Sequence, residues 1–209
     1  TDLYYTTASH QSNPALVPEK AFMARIGSEF ASGGWNASFN SYLRKGRNII
    51  DWVQYPGEYV WKSMQVTQLT TIGAEISAGY RRRNGFMREA RIAYGYIYSD
   101  KGSEGYISQY ALDYLRNKLS GSVKVALAKN TTLSMNGTLF DRNGNYTDAT
   151  GNTCLFEPYF LLDGKLSWTL DKLELYIEAT NITGTEYFDH GGLALPGLWA
   201  NAGILLTIK

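Results

Sequence analysis

Thr70-Thr71-Ile72-Gly73-Ala74-Glu75-Ile76-Ser77-Ala78-Gly79-Tyr80-Arg81 alternates without a break. Ile72, Ala74, Ile76, Ala78 and Tyr80 fall on one side, and Thr71, Gly73, Glu75, Ser77, Gly79 and Arg81 on the other. Successive side chains of an extended chain point to opposite faces, so this pattern describes a strand between an apolar medium and water. A strand in a soluble sheet usually runs for ~5–6 residues. A tilted strand crossing a bilayer needs ~9–11, which this stretch fills.

The same period recurs on both sides of it. Phe22–Ala31, Trp35–Arg44 and Arg88–Tyr98 surround the central stretch in this way. Lys118–Ala128, Thr131–Phe140, Pro158–Trp168, Leu173–Thr180 and Trp199–Lys209 continue the pattern to the end, making nine strands with the central one. Short turns follow the odd strands, at Ser32-Gly33-Gly34, Arg82-Arg83-Asn84-Gly85, Ala128-Lys129-Asn130 and Leu170-Asp171-Lys172. Long aromatic, glycine-rich loops follow the even ones, over Lys45–Leu69, Ser99–Asn117, Asp141–Glu157 and Asn181–Leu198. Short turns at one end and long loops at the other are the signature of an outer-membrane β-barrel meander. The fold expected is therefore all-β, a transmembrane antiparallel β-barrel. A soluble sandwich or lipocalin-like barrel is the alternative. Against it stands the second face, which carries Arg, Glu, Lys and Asn beside glycine, as a water-filled lumen would.

Aromatic residues gather at the strand ends (Phe22, Phe30, Trp35, Tyr80, Phe86, Trp168, Trp199), where a girdle meets lipid headgroups. An odd number of strands ending on the short-turn side leaves the first strand without a neighbour. Residues 1–20 then read as an extracellular loop, residues 21–209 as the nine strands, and the chain as the C-terminal part of something longer. Thr1–Tyr5 has neither the basic start nor the apolar stretch of a signal peptide.

Composition removes other classes. Twenty Lys and Arg against nineteen Asp and Glu leave a net charge of +1, with no basic excess for a nucleic-acid partner. One cysteine, Cys154, excludes an internal disulfide framework and a multi-cysteine metal site. His10 and His190 are the only histidines, both in expected loops and without a nucleophile motif, so no catalytic residue and no enzyme activity are expected. Asp141-Arg142-Asn143-Gly144-Asn145 begins like a calcium loop. It then places Tyr146 where glycine belongs and Asn152 where the bidentate Glu belongs, so no metal is expected. No cofactor is expected either.

Several stretches resemble the TonB-dependent outer-membrane receptors. Leu3-Tyr4-Tyr5 followed by Asn13-Pro14-Ala15-Leu16-Val17-Pro18-Glu19-Lys20-Ala21 is similar to their "LYY … NPxLxPEKA" run. Arg44-Lys45-Gly46-Arg47-Asn48-Ile49-Ile50-Asp51-Trp52-Val53 and Leu69–Glu75 resemble the strands that come next. Ala179-Thr180-Asn181-Ile182-Thr183-Gly184-Thr185-Glu186-Tyr187-Phe188-Asp189 resembles the "NLFNxxYxD" signature, and Pro196-Gly197-Leu198-Trp199 the "PGR" entry into the last strand, without its arginine. Lys209 stands where such barrels commonly end in an aromatic. The segment 48–53 looks most like the cobalamin-receptor branch of Bacteroides-like bacteria.

The resemblance implies a plugged barrel of about 22 strands, of which this chain supplies the last nine. On this resemblance the plug domain is expected to lie outside these residues. The implied activity is import of a bulky, scarce nutrient, with cobalamin or another cobamide first and a ferric siderophore as the alternative. A complete small barrel with an adhesin or structural role is a further alternative. The implied partners are the ligand, the chain's own N-terminal plug and remaining strands, TonB through that plug, a possible surface lipoprotein, and membrane lipid. Loop aromatics give broad contact at low entropic cost. The ligand candidates are accordingly Trp52, Tyr55, Tyr59, Trp61, Tyr106, Tyr110, Tyr146, Phe156, Tyr187, Phe188 and His190. Arg25, Glu29, Arg44, Glu75, Arg91, Lys124, Lys165, Glu174 and Glu178 are the lumen face expected to meet the plug.

Overall fold

A computed structural model describes residues 6–55, 57–100, 105–108, 114–147, 152–188 and 194–208. Its strands are β1 (His10–Gln11), β2 (Lys20–Ser32), β3 (Trp35–Gln54), β4 (Trp61–Arg81), β5 (Met87–Asp100), β6 (Ile107–Ser108) and β7 (Tyr114–Ala128). They continue as β8 (Thr131–Asn143), β9 (Asn145–Thr147), β10 (Thr153–Leu155), β11 (Tyr159–Leu170), β12 (Leu173–Thr180) and β13 (Trp199–Leu206). Nine of them form one path, β13-β12-β11-β8-β7-β5-β4-β3-β2, in which each long strand pairs antiparallel with the next in sequence. These are the nine segments expected from the alternation. β2 and β13 end the path, leaving two open edges among the described residues.

The register carries the alternation across all nine strands. Ala24 pairs with Leu43, Leu43 with Ile72, Ile76 with Tyr94, Ile92 with Gly121 and Leu166 with Ile177, so the apolar sides coincide. That face is uncovered: Phe22, Ile26, Phe30, Ile76, Ile92, Ile177 and Ile204 are 55–72% exposed. Water would not tolerate so large an apolar surface, whereas a hydrocarbon layer is its natural solvent. The second face is hydrophilic, and there glycine admits a neighbouring aromatic ring. A Cβ on Gly73 would overlap the ring of Tyr42, its cross-strand partner, and one on Gly203 would overlap Tyr176. Overpacking of this kind typically costs about 1–3 kcal/mol. Gly73→Val is therefore expected to lower the urea midpoint of the lipid-embedded protein, and Tyr42→Ala in the same chain to restore much of it.

The nine strands end closer together on the short-turn side than on the other. There β3 and β4 continue well beyond their neighbours. Pairing of β2 with β3 stops at Lys20↔Arg47 and that of β5 with β4 at Thr70↔Asp100, while β3 and β4 remain paired to Val53↔Lys62. The hairpin projects by roughly 20 Å at ~3.3 Å per residue. Most of the stretch expected as a loop over Lys45–Leu69 is thus strand, in β3 up to Gln54 and in β4 from Trp61. The expected loop at 1–20 likewise contributes a short strand, β1.

Two segments clasp this hairpin, each from the far side. β1 precedes β2, the neighbour of β3, yet pairs with β4 (His10↔Trp61, Gln11↔Lys62). β6 follows β5, the neighbour of β4, yet pairs with β3 (Val53↔Ser108, Gln54↔Ile107). Most of the buried hydrophobic residues gather here (Ile49, Trp52, Val53, Leu69 and Tyr106), because a single-layer sheet has no interior of its own.

Candidate functional site

The long-loop end brings the aromatic candidates into two groups. In the first, alternation along β3 puts Ile49, Asp51 and Val53 on one face of the hairpin and Ile50 and Trp52 on the other. Ile49, Val53, Leu69 and Tyr106 form a buried cluster with Tyr55 and Met64 packed against it. The rings of Tyr55 and Tyr106 meet edge to face at 6.0 Å, and the Tyr55 hydroxyl lies 3.7 Å from the Met64 sulfur. Lys62 stands over the Tyr55 ring and pairs with Glu58 at 2.8 Å. On the other face, the rings of Trp52 and His10 stand perpendicular with their centroids 4.8 Å apart. Glu19 accepts from the Ile50 amide at 2.7 Å, and the Gln65 side chain donates to the Val17 carbonyl at 2.6 Å. Trp61 is half-buried where its amide donates to Ser9. Tyr59, at the tip, is 93% exposed.

The second group is a run of rings across β8, the β9–β10 hairpin, β11 and the loop before β13. Phe140 stacks on Tyr159 at 5.0 Å, and Tyr159 meets Tyr187 at 4.8 Å. The next residue, Phe188, stacks on Tyr146 at 4.9 Å, and Tyr146 meets Phe156 at 5.2 Å. A cation sits at each end, Lys118 over Phe140 and Arg142 over Phe156. Tyr146, Phe156, Tyr187 and Phe188 are thus brought together as expected of neighbouring loops. Phe140, Tyr159, Lys118 and Arg142 were missed by the sequence reading. A signal for the first two was present: both occupy hydrophilic-face positions (Tyr159↔Phe140), where an aromatic breaks the pattern. Tyr110 and His190 lie outside the described residues.

One residue fixes the loop that carries Tyr187 and Phe188. Asn181 is 4% exposed and adopts φ 49°, a left-handed conformation that Asn tolerates better than most residues. Its side-chain amide donates to the carbonyls of Thr185 and Pro196, while its Oδ1 accepts from the Thr185 amide and the Thr183 hydroxyl. The Asn181 amide itself donates to Asp163 at 2.9 Å. The turn after β12, strand β11 and the approach to β13 therefore meet at one residue, the carboxamide joining the turn to the approach and the backbone amide reaching β11.

The nine charged residues expected on one face do share it. Glu75 and Arg91 are on register positions that continue through Ser122 to Lys124, and Lys165 is paired directly with Glu178. Their neighbours are largely polar. Arg25 donates to Asn40, Ser38 and Ser77 exchange a hydrogen bond at 2.8 Å, and Lys165 pairs with Glu174 at 3.2 Å while lying over Tyr176. The girdle expectation holds at the short-turn end, where Trp35 packs on Tyr80 at 4.8 Å. Trp199 departs from it: opposite Thr180, it stands on the hydrophilic side. Among the described residues, no group of His, Cys, Asp or Glu has the geometry to hold a metal ion. The aborted calcium motif starts inside β8.

A family profile described as "TonB dependent receptor-like, beta-barrel" matches residues 1–182. The chain belongs to this family. The structural comparisons agree on the fold. The FrpB iron transporter from Neisseria meningitidis (F3-3 variant) superposes with a TM-score of 0.69 at 15% identity, over 93% of this chain and 32% of that one. The copper transporter OprC superposes with a TM-score of 0.74 at 9% identity, over 96% of this chain and 34% of that one. The siderophore receptor PirA from Acinetobacter baumannii gives 0.67 at 13% identity, over 94% and 33%. Comparison with curated protein sequences finds no match. This member of the TonB-dependent receptor family spans about a third of the length of the solved structures it resembles.

Proposed function

We propose that this chain forms wall and outer loops of a TonB-dependent importer in a bacterial outer membrane. The observation that carries the reading is the continuous exposed apolar face backed by a charged one, on a family barrel. The long-loop end faces outward and captures a bulky, scarce nutrient. The short-turn end faces the periplasm, and the charged face from Arg25 to Glu178 receives the plug. The chemistry is binding and passage rather than bond breaking. TonB engages through the plug, and a surface lipoprotein is a compatible lid.

Two ligand classes fit this reading. The cobamide reading rests on the likeness of segment 48–53, whose side chains Ile49, Asp51 and Val53 are all buried in the clasped hairpin. That likeness therefore speaks for the shape of the hairpin rather than for a contact. The ferric-siderophore reading is favoured by the ring run from Phe140 to Phe156 with Lys118 and Arg142 at its ends, a surface suited to flat, anionic groups. It is also favoured by the likeness to proteins named as siderophore receptors.

Tryptophan fluorescence of the detergent-solubilised whole protein, titrated separately with cyanocobalamin and a ferric catecholate, distinguishes them. Saturable quenching by one ligand is expected. Tyr159→Ala with Tyr187→Ala should then weaken it by about tenfold, as for paired aromatic anchors. Quenching by neither would remove both ligands.

A further inference from the structure

Three cations interrupt the lipid-facing side at its long-loop end. The register places Lys20 directly opposite Arg47 and Lys45 opposite Phe22. Lys20, Phe22, Lys45 and Arg47 therefore share the apolar face, with Leu43 and Ile72 next below. All three cations are exposed, and none forms an ion pair among the described residues. Like charges directly opposite each other in an antiparallel pair are destabilising. The carboxylates beside them in sequence and register do not pair with them. Glu19 is turned to the Ile50 amide, and Asp100 stands one strand further, opposite Thr70. Gln68 opposite Arg47 and Thr70 opposite Lys45 add hydrogen-bonding groups at the same height.

Resting on the proposed membrane orientation, we infer that Lys20, Lys45 and Arg47 form a binding site for the phosphate headgroup of an outer-leaflet lipid. The position selects a lipid over a free anion. The cations lie at the upper margin of the apolar band, so a phosphate between them leaves its acyl chains against Phe22 (64% exposed) and Ile72 (46% exposed). Lys20 and Lys45 act as point charges, while the Arg47 fork presents two parallel donors to phosphate oxygens. Occupation removes the repulsion between Lys20 and Arg47 and ties β2 to β3 at the long-loop end.

The test uses the whole protein, extracted from native membranes in a non-ionic detergent, and mixed micelles doped with phosphatidic acid or with diacylglycerol of the same chains. The triple substitution K20Q/K45Q/R47Q is expected to weaken phosphatidic acid binding by about tenfold or more, given three cations at an anionic surface. It should leave diacylglycerol binding unchanged. The control R82Q/R83Q/R88Q, at the other end of the strands, should leave both unchanged. Equal binding of phosphatidic acid by the triple variant and the parent overturns the inference. So does inorganic phosphate binding as tightly as phosphatidic acid, which would mark a soluble-anion site. Heat-modifiable gel mobility verifies that the triple variant is folded. Recovery of the parent from the soluble fraction without detergent would instead overturn the membrane reading, and this inference with it.

Discussion

Ile76→Arg is expected to destabilise the lipid-embedded protein by about 2–4 kcal/mol, the depth-dependent cost of a charge on the lipid face near mid-bilayer. Ile76 is 56% exposed at the centre of the apolar face and lies opposite Tyr94 and Phe39. An arginine there cannot reach water without leaving its row. Glu75, its neighbour in sequence, points to the charged face with Asn40 and Gly95 opposite, so Glu75→Arg is expected to change stability by less than about 1 kcal/mol. Urea unfolding in lipid vesicles, monitored by tryptophan fluorescence, measures both. Equal tolerance of the two arginines would mean that the two faces meet the same solvent.

The second large effect belongs to Asn181. Replacement by Leu keeps the approximate volume but removes a buried carboxamide with four hydrogen-bond contacts, and takes the partner from the carbonyls of Thr185 and Pro196, the Thr185 amide and the Thr183 hydroxyl. Each hydrogen bond lost costs about 0.5–1.5 kcal/mol, and a γ-branched residue at φ 49° adds strain. A total of at least about 3 kcal/mol is expected, with faster proteolysis between β12 and β13. Asn181→Asp keeps the acceptor and the left-handed preference, so it should recover part of the loss. If Asn181→Leu resists protease as the parent does, the carboxamide is not the junction of these elements.

The nine strands were legible because each has one apolar and one hydrophilic face. Leu173–Thr180 has the same limits in sequence and structure, and Trp35 and Arg81 were placed at the correct strand ends. The projecting hairpin was not legible for the opposite reason. Ile49-Ile50-Asp51-Trp52-Val53 is covered on one side by Tyr106 and on the other by residues 10–19, so both of its faces are covered and the period of two vanishes. A strand buried on both faces reads as a continuous apolar run. The exchange of β1 and β6 across that hairpin is a long-range event with no local sequence mark. Loop aromatics could be picked out as a class, but which rings meet depends on loop geometry. Phe140 and Tyr159 are the exception, since the strand register alone brings them together.

The central claim is that one face of this sheet meets lipid and the other does not. Single cysteines introduced one at a time from Thr70 to Arg81, in a Cys154→Ser background, can carry a fluorophore whose quenching by brominated lipid is read in vesicles. The account predicts strong quenching at positions 72, 74, 76 and 78, weak quenching at 73, 75, 77 and 79, and the reverse order with a water-soluble quencher. Quenching that fails to alternate, or water-soluble access at both parities, would contradict it.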